Sequence, residues 1–213
     1  MRLLLAPVVL LMALIALYRW VDPPITHTMW AEQRRLGRIE RQWTPLDYMS
    51  EAAPRAVVAA EDANFCLHWG FDMDAIRTAI DAGANRGAST LTQQTVKNVF
   101  LWQGRSWPRK ALEALITPVV EIAWPKRRIL EIYLNVAETG EGVFGMEAAA
   151  RHYFGVGSVG LSQTQASRIA AALPDPKTRN PANPSQWLRR RAASISDGAA
   201  TIAADGRVNC FED

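Results

Sequence analysis

The chain opens on an uncharged apolar run, Leu3 to Tyr18, with Arg2 before it and Arg19 and Trp20 after it. Its sixteen residues are slightly short of the ~20 that cross a bilayer as a helix. Arg19 and Trp20 can snorkel and lengthen that reach. A cleaved signal peptide needs small residues at its cut site. The run ends Ala13-Leu14-Ile15-Ala16-Leu17-Tyr18 without that spacing. An uncleaved transmembrane anchor over 1–20 is therefore favoured over a signal peptide and over a buried helix. Pro23-Pro24 then blocks helix continuation, and 21–49 reads as a juxtamembrane connector. Its arginines, Arg34, Arg35, Arg38 and Arg41, suit either anionic headgroups or a solvated face.

From Ser50 onward apolar positions recur at helical spacing. A run from Pro54 to Ala60 ends at Glu61-Asp62. Asp72 can cap a helix from Met73 to about Ala82 with Ile76, Ala79 and Ile80 inward, and Gly83 can end it. Ser89 or Thr90 can cap a helix that runs through Phe100. Pro108 suits the first turn of a helix reaching Trp124, whose inner face would be Leu112, Leu115, Ile116, Val119 and Val120. Pro125 starts another through Val136. Two more helices are expected over 142–154 and 162–173, then a proline-rich loop from Pro174 to Pro184 and a last helix from Ser185. No two-residue alternation is sustained, so strands should be few. The expected fold class is mainly α, with 50–213 as one domain.

Composition narrows the class. At 213 residues the chain can bury a real core. Its net charge of +3 is too small to argue for nucleic acid. Eight tryptophans are many, and Trp favours membrane interfaces. Cys66 and Cys210 fit either a disulfide in an oxidising compartment or two packed thiols. No Cys/His grouping has zinc-ligand spacing.

The chemistry concentrates between 61 and 113. Glu61 and Glu113 form a candidate carboxylate pair, the arrangement used for reactions at a sugar's anomeric carbon. Glu61 closes an apolar helix, so burial could raise its pKa and make it a general base; a surface Glu at a helix end is the plainer alternative. The window 97–131 holds Lys97, Arg105, Arg109, Lys110, Lys126, Arg127 and Arg128 against three glutamates, a local charge of +4. Such cations bind phosphates, Arg in bidentate fashion and Lys as a point charge, although Arg109 and Glu113 at i,i+4 could simply pair. Ser89, Thr90, Thr92, Gln93, Gln94, Lys97 and Asn98 add hydroxyls and amides that can read sugar hydroxyls and acetamido groups. A capped, solvated helix is the bland alternative, but it needs no adjacent glutamines.

Four ordered segments carry a resemblance. They are Glu61-Asp62-Ala63-Asn64-Phe65 with His68, Gly70 and Asp72; Gly87 to Asn98; Arg105 with Arg109, Lys110 and Glu113; and Lys126 with Ile129 to Asn135, continued by Gly142 to Ala150 and Tyr153-Phe154. Over roughly 50–175 the chain resembles the peptidoglycan glycosyltransferases, the penicillin-binding-protein-type transglycosylases that polymerise lipid II. That resemblance implies a lysozyme-like helical domain on the outer, periplasmic face of the inner membrane. It implies Glu61 as general base and Glu113 as the second site carboxylate, stabilising the diphosphate. It implies Lys97, Arg105, Arg109 and Lys110 as phosphate ligands, and Asp62, Ser89, Thr90, Gln93, Gln94 and Asn98 as lining the sugar and diphosphate subsites. Lipid II and the nascent glycan would be its substrates, with cell-wall synthesis or division proteins as candidate partners and no nucleic acid. A divalent cation, magnesium or manganese, at the diphosphate is the one cofactor the resemblance leaves open. No serine has a lysine three residues on, so the transpeptidase S-x-x-K is missing and the monofunctional form is implied. A glycan-cleaving muramidase or lytic transglycosylase would have little use for the basic window. An inactive glycan-binding module would lack a carboxylate or a cation.

Overall fold

The computed structural model describes residues 2–83, 87–104 and 106–212, with side chains from residue 6 onward. Arg105 lies outside the described residues. Along the described chain run α1 (Arg2–Tyr18), α2 (His27–Leu36), α3 (Ala52–Glu61), α4 (Met73–Asp81) and α5 (Leu91–Phe100). Then come α6 (Trp107–Ala123), α7 (Lys126–Val136), α8 (Met146–Phe154), α9 (Gln163–Ala172) and α10 (Gln186–Ala204). The protein is therefore mainly helical. Three short strands, β1 (Glu40–Arg41), β2 (Glu138–Gly140) and β3 (Val143–Phe144), form a sheet in the order β1-β3-β2. β1 is parallel to β3, with Glu40 opposite Val143, and β2 is antiparallel to it.

Local chemistry sets the boundaries. Thr26, Asp72, Thr90, Ser106, Ser162 and Ser185 each accept a hydrogen bond from a first-turn backbone N–H as N-caps, which satisfies otherwise orphaned donors. Thr90 with Gln93 and Ser162 with Gln165 complete capping boxes. The segment 142–145, expected as helix, is instead the β3 turn. There Gly145 has φ 86, and a Cβ would meet Asn135 O at 2.9 Å, so only glycine fits.

Two helix groups share the core. α3 packs against α9 and α10, and α5 packs against α6 and α7. Val57, Phe65, Leu91, Val120, Leu130 and Ile169 are fully buried where these meet. The stretch expected as a connector folds into α2 and β1, and its Met29 and Leu46 enter the core.

Two inward faces differ from expectation. Ile80 of α4 is exposed, leaving Ala79 as the buried member. α6 is nearly inside out. Leu112 and Leu115 face solvent, Leu115 at 69% exposure, while Arg109, Glu113, Thr117 and Glu121 are buried beside Ile116 and Val120. Hydrophobic spacing misassigned this helix because each buried polar group finds a partner. Thr117 Oγ1 donates to Glu113 O at 2.7 Å, and Glu121 Oε1 accepts from Thr92 at 2.5 Å and Lys126 at 2.8 Å. Paired in this way, such groups stay buried without a large desolvation penalty.

Among the described residues no helix is long and apolar enough to cross a membrane. The 17 residues of α1 give a length of about 26 Å. Its C-terminal end docks on the domain. Trp124 Nε1 donates to Ile15 O at 2.7 Å, Arg128 donates to Tyr18 O and Val21 O at 3.0 Å each, and Tyr18 stacks on Phe100. The outward side of α1 keeps Val8, Val9, Leu10 and Met12 exposed.

Candidate active site

The site forms where the C-terminus of α3 meets the N-terminus of α5. Asp62, the residue after α3, accepts from Leu91 N at 2.9 Å and from His68 Nε2 at 2.9 Å. This carboxylate at a helix N-terminus also suits the α5 dipole. It fixes the end of α3 against the polar segment 87–98. A cleft of about 240 Å³ opens there, lined by Glu61, Asp62 and Asn64 on one side and Gly87, Ser89 and Thr90 on the other.

Glu61 is half-buried, and burial pushes its carboxyl above the ordinary value of 4.5. Gln94, Arg191 and Lys97 oppose that rise, in decreasing order, and Asp62 adds to it. Gln94 Nε2 donates to Glu61 Oε2 at 2.8 Å, and Gln94 Oε1 accepts from Tyr133 OH at 3.1 Å. The buried Tyr133 phenol is pushed well above its usual pKa, by burial first and by the charge of Glu61 second. A carboxylate with a raised pKa, aimed by an amide, has the properties of a general base.

The second carboxylate sits among cations. Glu113 is 2% exposed. Its Oε2 accepts from Arg109 Nη1 at 2.7 Å, its Oε1 accepts from Lys110 Nζ, and Lys110 also donates to Ser89 Oγ at 2.9 Å. Arg109 and Lys110, with Ser106 and Trp107, line a second cavity of about 300 Å³. The Lys110–Ser89 bond thus joins the two cavities. Lys97 lies in the fields of both carboxylates. Burial lowers its pKa most, Glu113 and Glu61 raise it, and Arg109 and Lys110 lower it further. The arrangement sets a partly desolvated carboxylate apart from a cationic pocket, which suits proton removal at one place and anion stabilisation at another.

The other expected residues divide. Gln93 is buried and holds the N-terminus of α5: its Oε1 accepts from Thr90 N at 3.1 Å. Thr90 Oγ1 donates to Gly70 O at 2.7 Å, although Thr90 still borders the cleft. Asn98 is buried and accepts from Gln103. Lys126, Arg127 and Arg128 turn elsewhere. Lys126 pairs with Glu121 and covers the Phe65 ring at 4.4 Å, Arg127 pairs with Asp47, and Arg128 pairs with Glu131 and Asp22. His68, Tyr133 and Asn64 also belong to the site, although their positions in the sequence carry no sign of their contacts there. His68 and Asn64 were visible within the first motif, but their pairing with Asp62 and Asp72 was not. Nothing in the spacing showed that Tyr133 would reach Gln94.

The described residues do not by themselves form a divalent-ion site. Among the described residues no three carboxylate, histidine or cysteine side chains converge. Both oxygens of Glu113 already face cations.

Comparison with known proteins agrees with this geometry. A family model described as Transglycosylase matches residues 29–199. The biosynthetic peptidoglycan transglycosylase of Jannaschia sp. (strain CCS1) is 60% identical over 202 residues, covering 95% of this chain and 84% of the relative. Its counterpart in Ectopseudomonas mendocina (strain ymp) is 48% identical over 204 residues, covering 91% and 82%. That of Rhodospirillum centenum (strain ATCC 51521 / SW) is 47% identical over 210 residues, covering 96% and 90%. The match over most of the chain and the identity to these relatives show that the chain belongs to the transglycosylase family.

Proposed function

We propose that the protein is a membrane-bound peptidoglycan glycosyltransferase that polymerises lipid II into linear glycan strands. The observation that carries this reading is the pairing of two environments: a desolvated Glu61 held by Gln94, and a cationic cavity built from Arg109 and Lys110. Glu61 removes the proton from the acceptor sugar's 4-hydroxyl as that oxygen attacks the donor's anomeric carbon. The bond from that carbon to the diphosphate breaks, so the configuration inverts. Negative charge grows on the departing lipid diphosphate, where Lys97, Arg109 and Lys110 stabilise it. Glu113 aims the last two through its hydrogen bonds, and Arg105 is assigned to the same group from its motif position. Asp62, Thr90, Gln93 and Asn98 support the walls of the cleft; Ser89 and Gln94 face the substrate or the base.

Two surfaces support the membrane reading. Trp107, at 89% exposure, and Leu112, Leu115 and Ile122 form the outer row of α6. The exposed apolar side of α1 and Trp20 add to it. Exposed apolar side chains gathered on helix faces in this way suit a membrane or partner contact. We assign α1 as a single anchor in the inner membrane, with the catalytic domain on the periplasmic side, where a lipid-linked sugar is presented.

Purified protein incubated with labelled lipid II should yield glycan polymer, and penicillin should not inhibit it. Degradation of finished glycan with no extension of lipid II would replace this reading by that of a muramidase.

A further inference from the structure

No motif claims residues 205–212, yet they lie against the segment that carries Glu61. Arg55 of α3 donates to both carboxylate oxygens of Glu212, at 2.8 and 2.7 Å. Arg207 Nη1 donates to Ala63 O at 3.3 Å and Asn64 Oδ1 at 3.4 Å. Asp205 holds the same guanidinium, accepting from Arg207 Nη2 at 2.7 Å. Cys66 and Cys210 form a disulfide with their Cα atoms 5.5 Å apart, and Val208 and Phe211 are buried in the core.

The tail is therefore tied to the first turn of α3, through Arg55, and to the segment 63–66 that follows its last residue, Glu61. The segment it grips has a second face. Ala63 and Asn64 line the cleft beside Glu61 and Asp62, and Asn64 Nδ2 donates across to Asp72 Oδ2 at 3.0 Å. Arg207 thus reaches the cleft wall from behind.

We propose that the C-terminal segment is a covalently fastened brace in which Arg207 and the Cys66–Cys210 bond are positioning elements for the Glu61–Asn64 wall, so that glycan synthesis depends on the oxidised disulfide. This inference rests on the reading of Glu61 as the base. Asp62 remains pinned by Leu91 and His68 when the brace is released, so the wall shifts rather than melts. The chemistry is sensitive to such shifts, because a misplacement of about 1 Å can cost ~10²-fold in rate. The groups acting on Glu61 are Gln94 and Lys97 on α5, Arg191 on α10 and the adjacent Asp62, with Tyr133 of α7 behind Gln94. A shifted wall lets water reach Glu61 among them.

The test measures kcat and KM for lipid II over an acid-to-neutral pH series with the full chain. Four samples are compared: oxidised wild type, wild type reduced with dithiothreitol, the Cys66→Ser/Cys210→Ser double variant, and oxidised Arg207→Ala. Circular dichroism reports the folded fraction of each. Reduction converts the disulfide to two thiols as dithiothreitol is oxidised to its cyclic disulfide. Reduction and the double variant should each lower kcat by about tenfold or more, with KM within about threefold. The acid limb of the pH profile should move to lower pH, and reoxidation of the wild type should restore both. Arg207→Ala should move kcat and the limb in the same directions with the disulfide intact, and it decides the matter if the reduced chain unfolds. Activity indifferent to reduction and to Arg207→Ala would overturn the brace. So would a fall in kcat with an unmoved acid limb, because loss of folded protein lowers amplitude alone. An oxidised wild type that makes no glycan removes the functional reading and the brace together, whereas an active one indifferent to reduction removes the brace alone.

Discussion

Glu113 shows how burial decides a residue's role. Spacing alone allowed a surface i,i+4 pair with Arg109, but both side chains are buried, Arg109 at 8% exposure. Removing one partner of such a pair leaves a buried uncompensated charge. Glu113→Ala should therefore cost about 3–5 kcal/mol of stability, read by denaturant unfolding, and a loss below about 1 kcal/mol would place the pair in solvent. Glu61 makes the opposite prediction. Burial holds its folded pKa above the ordinary 4.5, so the native state binds this proton more tightly than the unfolded chain. Below 4.5 the group is protonated in both states and has no effect. As the pH rises through 4.5 toward the folded value, ionisation removes stability. Glu61→Gln should thus be at least as stable as wild type at neutral pH, with the difference fading in acid; a variant less stable at neutral pH would contradict the raised pKa. The sequence named both carboxylates and the cations. It could not separate Gln94, which reaches Glu61, from Gln93, which caps α5, because adjacent amides of one type differ only in the direction they point.

At the scale of elements, the helices were largely legible, since caps and prolines mark their ends. α5 begins after Thr90 and α7 begins after Pro125, as the letters require. The inward face of α6 was not legible. Its buried row is polar and satisfied by Thr92, Lys126 and its own carbonyls, partners that come from elsewhere in the fold and leave no periodic trace. The consequence is testable. Leu115→Glu and Ile122→Glu lie on the exposed row, so each should change stability by no more than about 0.5 kcal/mol. Together they should weaken binding to anionic lipid vesicles in a sedimentation assay. Unchanged vesicle binding would remove the outer row of α6 from the membrane contact.

Across the whole molecule, the fold joins distant stretches that single motifs cannot relate. The Cys66–Cys210 bond links positions 144 apart, and closing so long a loop can contribute up to about 5 kcal/mol in the chain-entropy view. The sequence left this pair open because Cα separation is a product of the fold. The same long-range docking brings α10 to α3, where Arg191 Nη2 donates to Ala60 O at 3.2 Å, next to Glu61. All of these contacts converge on a half-buried Glu61, held by Gln94, next to a cationic cavity. Turnover of lipid II by Glu61→Gln beside wild type, both shown folded, tests that centre most directly. With Glu61 as the base, kcat should fall by about 10²–10⁴-fold, the range for loss of a general base. A folded Glu61→Gln that polymerises lipid II within about tenfold of wild type would contradict that role.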